Sequence, residues 1–149
     1  MPAGQAKDIT RVALLLAIIF VAQQFRFQYL TGSIVNSIFI TAVFFAGLRG
    51  AIALSILSPL LAITQGVMPL VALYPFIVAG NIIFVYVISK LKENIFVALI
   101  TASFSKALII GLFSATVLPL QGALIIGLSQ LITAGIGSMI FLSIINRIL

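Results

Sequence analysis

Five polar interruptions, the shortest of them "GLRG" at 47–50, cut this chain into six apolar runs. The breaks at "QQFRFQYLTG" (23–32), "GLRG" (47–50), "TQGVMP" (64–69), "SKLKEN" (89–94) and "LPLQG" (118–122) leave segments near 11–25, 33–48, 51–64, 69–89, 95–117 and 122–146. A hydrocarbon core of ~30 Å is crossed by about 20 apolar residues in a helix, so each run reads as a membrane span. The second and third are short enough to be partly re-entrant, and five crossings is the alternative count. Connections this brief force neighbouring helices antiparallel. The expected fold is therefore an all-α integral membrane protein, a single transmembrane domain over 1–149 built as a compact bundle of six helices. Pro59 and Pro75 fall inside spans and are expected to kink them.

Composition agrees. Of 149 residues, 63% are hydrophobic and 7% charged, where a soluble domain carries about a quarter charged. The net charge of +6 would suggest nucleic acid in a soluble protein. Here the basic residues stand singly at span ends, which is a topology signal instead, and no nucleic-acid partner is expected. With the N-terminus inside, Lys7, Arg11, Arg49, Lys90, Lys92 and Arg147 all fall on the cytoplasmic side, against Arg26 alone outside. That bias places both termini in the cytoplasm. The first run, "VALLLAIIFVA" (12–22), has no small-residue cleavage site after it and reads as a retained span.

Much chemistry is excluded. The acidic residues are Asp8 and Glu93, both outside the spans, and the chain has no His and no Cys. Intramembrane aspartyl, rhomboid-like or metal-dependent proteolysis lacks its residues, as do zinc, haem and iron–sulfur ligation. Proton-coupled carriers run on membrane-embedded Asp, Glu or His, and no Walker stretch is present for ATP. The chain is expected to be no enzyme and to carry no cofactor or metal.

What remains is a small set of polar residues at depth. Lys106 lies near the middle of "ALITASFSKALIIGLFSATVL" (98–118), where a lysine costs about 2.5–3.5 kcal/mol on insertion scales. Counting inward from the outer span ends at ~1.5 Å per residue, Asn81, Lys106 and Gln130 share a depth of roughly 12–17 Å. Nearer the outer surface lie Gln23, Gln24, Gln28, Tyr29, Asn36, Gln65, Tyr74 and Gln121, while the cytoplasmic half is poor in strong polar groups. The pattern suggests an outward-facing cavity over a sealed inner half. Its candidate substrate-binding residues are Lys106, Asn81, Gln130, Tyr74, Asn36 and Gln65. Each also has a plainer reading: amides bonding between helices, at about 0.6 kcal/mol on average; a neutral or carbonyl-paired lysine; interfacial glutamines and tyrosines. With no membrane carboxylate to pair Lys106, the substrate is expected to be small, anionic and partly apolar. On the first span, Ala13 and Ala17 are four apart on one face, a small-residue pair that lets another helix approach closely.

These features resemble the substrate-capture subunit (S component) of energy-coupling factor transporters, the vitamin-uptake branch of ATP-driven importers. The resemblance rests on the size, the six spans, "AxxxA" at Ala13–Ala17, "LTGSIVNSIFITAVFFAGLRGA" across the second span, and the lysine in "SFSKALIIG". It implies residence in a prokaryotic plasma membrane. It also implies a vitamin-like small-molecule substrate taken from outside, beneath the loops after the first, third and fifth helices, with contributions from the fourth to sixth. The first helix would dock on a transmembrane coupling subunit driven by two ATPase subunits, and the whole chain would topple in the lipid bilayer to deliver its cargo. The chain has no Trp, which several members use for stacking, so Phe27, Tyr29 or Tyr74 would take that part. Two readings from other classes stay open: a stand-alone small carrier, and a structural or assembly subunit of a larger membrane complex.

Overall fold

In a computed structural model, residues 3–68 and 71–148 are described, and they form six α-helices with one 3-10 turn. The helices are α1 (Ala3–Gln23), α2 (Gln28–Phe45), α3 (Gly47–Thr64), α4 (Tyr74–Leu91), α5 (Ile95–Ser114) and α6 (Leu120–Ile148). The 3-10 turn, Val71–Leu73, leads into α4. Residues 69–70, where the fourth apolar run opens, lie outside the described residues.

Five helices, α2 to α6, are long and apolar enough to cross a membrane; the chain is a multi-pass helical membrane protein. α1 falls outside that set because Lys7, Asp8 and Arg11 occupy its first half. The lipid-facing surface is plain on α5. Phe96, Ile100, Phe104, Leu108 and Leu112 recur every fourth residue and are each more than 60% exposed. Four-residue spacing keeps them on one face, and sixteen residues at ~1.5 Å give a stripe of about 24 Å, close to the hydrocarbon thickness. Such a stripe fits the hydrocarbon of a membrane.

Several boundaries differ from those expected. The second and third spans are 18-residue helices, longer than the runs read from the sequence and long and apolar enough to cross a membrane. α2 starts at Gln28 rather than near 33, because Gln28, Tyr29 and Thr31 are helix-competent although polar. "GLRG" is not a loop but the first turn of α3. A single residue, Ala46, separates the two helices, and Gly47 turns the chain at φ +73°, a conformation that glycine adopts without a Cβ clash. Pro75 does not interrupt α4 but stands in its first turn, where the missing N–H is no loss. Pro59 does lie inside α3. Asn94 caps α5, its side chain accepting from the Val97 N–H at 3.4 Å.

Helices α2 to α6 each pack on the next, and α6 returns to pack on α2, closing a ring; α2 also touches α4 across it, while α1 lies outside against α2 and α3. Two close approaches depend on glycine. A Cβ on Gly137 of α6 would stand 2.6 Å from the Ser33 carbonyl oxygen and 2.7 Å from the Asn36 Cβ of α2. A Cβ on Gly80 of α4 would meet the Ile110 side chain of α5. Each glycine sits beside a residue of the polar cluster described below, so these crossings set its geometry. The inner half of the ring is filled by buried Val43, Leu54, Phe84, Ile88, Leu99 and Ala102. Polar groups collect instead toward the end that carries the α1–α2, α3–α4 and α5–α6 connections.

Candidate functional site: a polar cavity around Lys106

One wall of the site follows from a proline. Within α3, the Ser55 carbonyl would ordinarily accept from the N–H four residues on, but that residue is Pro59, which has none. Asn81 of α4 fills the gap, its Nδ2 donating to the Ser55 oxygen at 3.5 Å. One turn along α3, Gln23 at the end of α1 donates from Nε2 to the Ser58 oxygen at 3.0 Å. Thr31 of α2 ties down the same α1 terminus, its hydroxyl donating to the Ala22 carbonyl at 3.2 Å. The α1 end is thereby fixed to both neighbours.

The opposite wall is a directional chain of hydrogen bonds. Lys106 of α5 is buried and donates from Nζ to Asn36 Oδ1 of α2 at 2.5 Å. A lysine has only donors, so the Asn36 oxygen must face it. Asn36 Nδ2 then donates to Thr133 Oγ1 of α6 at 3.3 Å, and that hydroxyl donates to the Gln130 carbonyl at 3.2 Å. The Lys106 ammonium also lies 5.3 Å from the centre of the Phe84 ring and 5.7 Å from that of Phe39, within cation–π range. Among the described residues it has no counter-charge. Of the chain's two acidic side chains, Asp8 pairs with Arg11 at 3.5 Å on α1, and Glu93 is exposed between α4 and α5.

Between the walls lies a cavity of about 360 Å³, of the size that small-molecule sites occupy. Lys106, Asn81, Gln130 and Asn36 all line it. Tyr74 and Gln65 do not. The Tyr74 hydroxyl donates to the Ile56 carbonyl at 3.4 Å, and Gln65 Oε1 accepts from Gln24 Nε2 at 2.8 Å, clasping the α1–α2 connection to the α3–α4 connection. Apolar Val35, Phe39, Ile77 and Met68 complete much of the lining. Ala13 and Ala17 lie far from all this in sequence and topology, exposed on α1 beside Leu14 and Ile18, while Leu15 and Ile19 face the bundle.

Sequence reasoning ranked several lining residues too low. Gln23 reads as interfacial, yet it is 3% exposed and holds α3. Thr133, Thr31 and Ser58 carry no sequence signal, because hydroxyls in membrane helices usually bond back to their own helix. Arg26 does carry one. It is the one basic residue on its side of the expected topology, it takes a left-handed φ of +54°, and it stands at the cavity lining from the α1–α2 connection. A non-glycine residue held there is uncommon enough to mark a constrained position.

No family model matches the chain, and no curated protein or solved structure matches it significantly. The class is therefore read from the geometry: a multi-pass helical membrane protein with a cation-bearing polar cavity toward one end and an apolar seal at the other.

Proposed function

We propose that this chain is the membrane-embedded substrate-capture subunit of an energy-coupling factor type importer for a vitamin or similar micronutrient. It takes a small, anionic, partly apolar molecule from the outside. The observation that carries this reading is Lys106, buried without a counter-ion in a cavity lined otherwise by apolar, amide and hydroxyl groups, with Arg26 as its other charged residue. A buried charge needs a partner, and an anionic substrate supplies it. Asn36 holds the ammonium in place, Asn81 and Gln130 orient the rest of the molecule, and Arg26 at the mouth attracts anions. Nothing in the chain supplies energy, so the energy comes from partners: a transmembrane coupling subunit and two ATPase subunits. Purification in mild detergent from its own membranes tests this. Two ATP-binding polypeptides and a membrane subunit are expected to accompany the chain; stoichiometric respiratory or secretion subunits in their place would reject it.

Orientation in the membrane follows from charge. Lys7, Arg11, Arg49, Lys90, Lys92 and Arg147 lie at one end of the bundle, and Arg26 at the other. The six-residue end faces the cytoplasm, so the cavity opens outward. On this cysteine-free chain, a membrane-impermeant thiol reagent added outside is expected to label Phe25→Cys and Thr116→Cys but to spare Arg49→Cys and Lys92→Cys. All four positions are exposed, so the reverse pattern would overturn the orientation.

The exposed Ala13–Ala17 face of α1 is the docking surface for the coupling subunit, since small residues permit close helix approach. The double variant Ala13→Trp, Ala17→Trp is expected to abolish uptake into cells while the purified subunit still binds substrate. Unimpaired uptake would remove this face from the interface.

A further inference from the structure

The residue that meets Lys106 is an amide where a carboxylate of the same shape would fit. Asn36 is 1% exposed, and its Oδ1 accepts from the Lys106 ammonium. A neutral acceptor holds an ammonium in place without cancelling its charge; a carboxylate does both. The rings of Phe39 and Phe84 beside the ammonium are neutral as well. An ammonium has three N–H donors, and the bond to Asn36 is the one it makes among the described residues. Donors and a full charge are thus left over in the cavity that both residues line.

The far end of the amide is held by Thr133, whose Oγ1 accepts from Asn36 Nδ2 and donates to the Gln130 carbonyl. A close crossing of α2 and α6 seats this threonine: a Cβ on Gly32 would stand 3.0 Å from Thr133 Cγ2. A hydroxyl both donates and accepts. Thr133 accepts from the amide, as here, and by turning from the Gln130 carbonyl it can donate to a carboxylate instead. Hydrogen bonding therefore admits either group at position 36. What distinguishes them is the charge left to Lys106.

Resting on the substrate-binding reading above, we propose that Asn36 is the specificity-determining residue of the cavity. Its neutrality keeps the charge of Lys106 open to an anionic substrate, and Thr133 is the positioning residue that holds its amide in register. Asn36→Asp closes the site from within, supplying the counter-ion that the substrate otherwise brings.

Losing a packing residue lowers stability and binding together; in Asn36→Asp they move apart. The variant is expected to melt no lower than the unsubstituted protein, because it gives a buried charge its partner. In a Lys106→Met background the same substitution is expected to lower the melting temperature, because it buries a carboxylate without one. Calorimetric titration with benzoate and benzamide, alike but for the charge, reads the binding. The unsubstituted protein is expected to prefer benzoate at least about tenfold, and Asn36→Asp to bring the two within about threefold. Thr133→Val, which removes the acceptor for Asn36, is expected to weaken benzoate about fivefold, the margin of one buried hydrogen bond. Thr133→Ser is expected to restore it to within about twofold. A preference for benzoate that survives in Asn36→Asp would overturn the role of Asn36 and leave the anion site at Lys106 standing. Failure of Asn36→Asp to fold, or a lower melting temperature with Lys106 present, would also overturn it. Equal or absent binding of the two probes by the unsubstituted protein would overturn the anion reading itself.

Discussion

Lys106→Met is expected to weaken binding of the acidic substrate by roughly 30-fold to several-thousand-fold, and to leave the bundle folded and no less stable. The affinity range follows from removing a buried charge-assisted contact, about 2–5 kcal/mol, at ~1.4 kcal/mol per factor of ten. The stability expectation comes from two opposed terms. Methionine leaves Asn36 Oδ1 without its donor, a loss of about 1–3 kcal/mol for a buried acceptor. It also removes an ammonium whose nearest favourable contacts are one amide oxygen and two aromatic rings. Desolvating such an ion costs several kcal/mol, and the second term is the larger. Thermal melting by circular dichroism checks the stability, and calorimetric titration with an acidic ligand checks the affinity. A variant that melts lower yet binds unchanged would make Lys106 a packing residue.

Gly137→Leu is expected to prevent assembly of the native bundle. Even the Cβ of alanine would stand 2.6 Å from the Ser33 carbonyl oxygen, a backbone atom that moves only if α2 moves. Overpacking of this kind costs about 1–3 kcal/mol for modest additions and more for larger ones, so Gly137→Ala should be clearly destabilised and Gly137→Leu should not survive purification. The damage reaches the cavity, since Thr133 is one turn from Gly137 and its hydroxyl holds Asn36, which holds Lys106. Gly135→Ala, two residues away, is the control. A Cβ there meets nothing within 4 Å, and alanine in place of helical glycine is worth up to about 1 kcal/mol. Size-exclusion profiles and melting temperatures of the three variants test the order. Equal stability of Gly137→Leu and the unsubstituted chain would mean that α2 and α6 do not cross here.

The fold was legible because hydrophobic runs and short breaks leave a membrane chain few alternatives. Boundaries were less so. A polar residue in a membrane helix looks like a loop residue when its partner is on another helix. Asn36 shows the consequence. Counted from an α2 that begins near 33, it lies close to the surface; counted from Gln28, it is eight residues deep, about 12 Å, level with Asn81, Lys106 and Gln130. The five-residue error in one helix start hid the partner of the most informative residue in the chain. Gln65 and Tyr74 err in the opposite direction. Both are polar and near the correct end, but their hydrogen bonds go to Gln24 and to the α3 backbone, and no one-dimensional pattern distinguishes a clasp from a ligand. Pro59 was read as a kink, whereas its clearest effect is the carbonyl it leaves free for Asn81.

The anion-binding role of Lys106 is tested most directly by mass spectrometry of the small molecules that the chain retains through mild detergent purification, compared with the same preparation of Lys106→Met. A single vitamin-sized acid is expected at near-stoichiometric amount in the unsubstituted protein and absent from the variant. Retention of a molecule without an acidic group, or of an acid equally by both proteins, would contradict it.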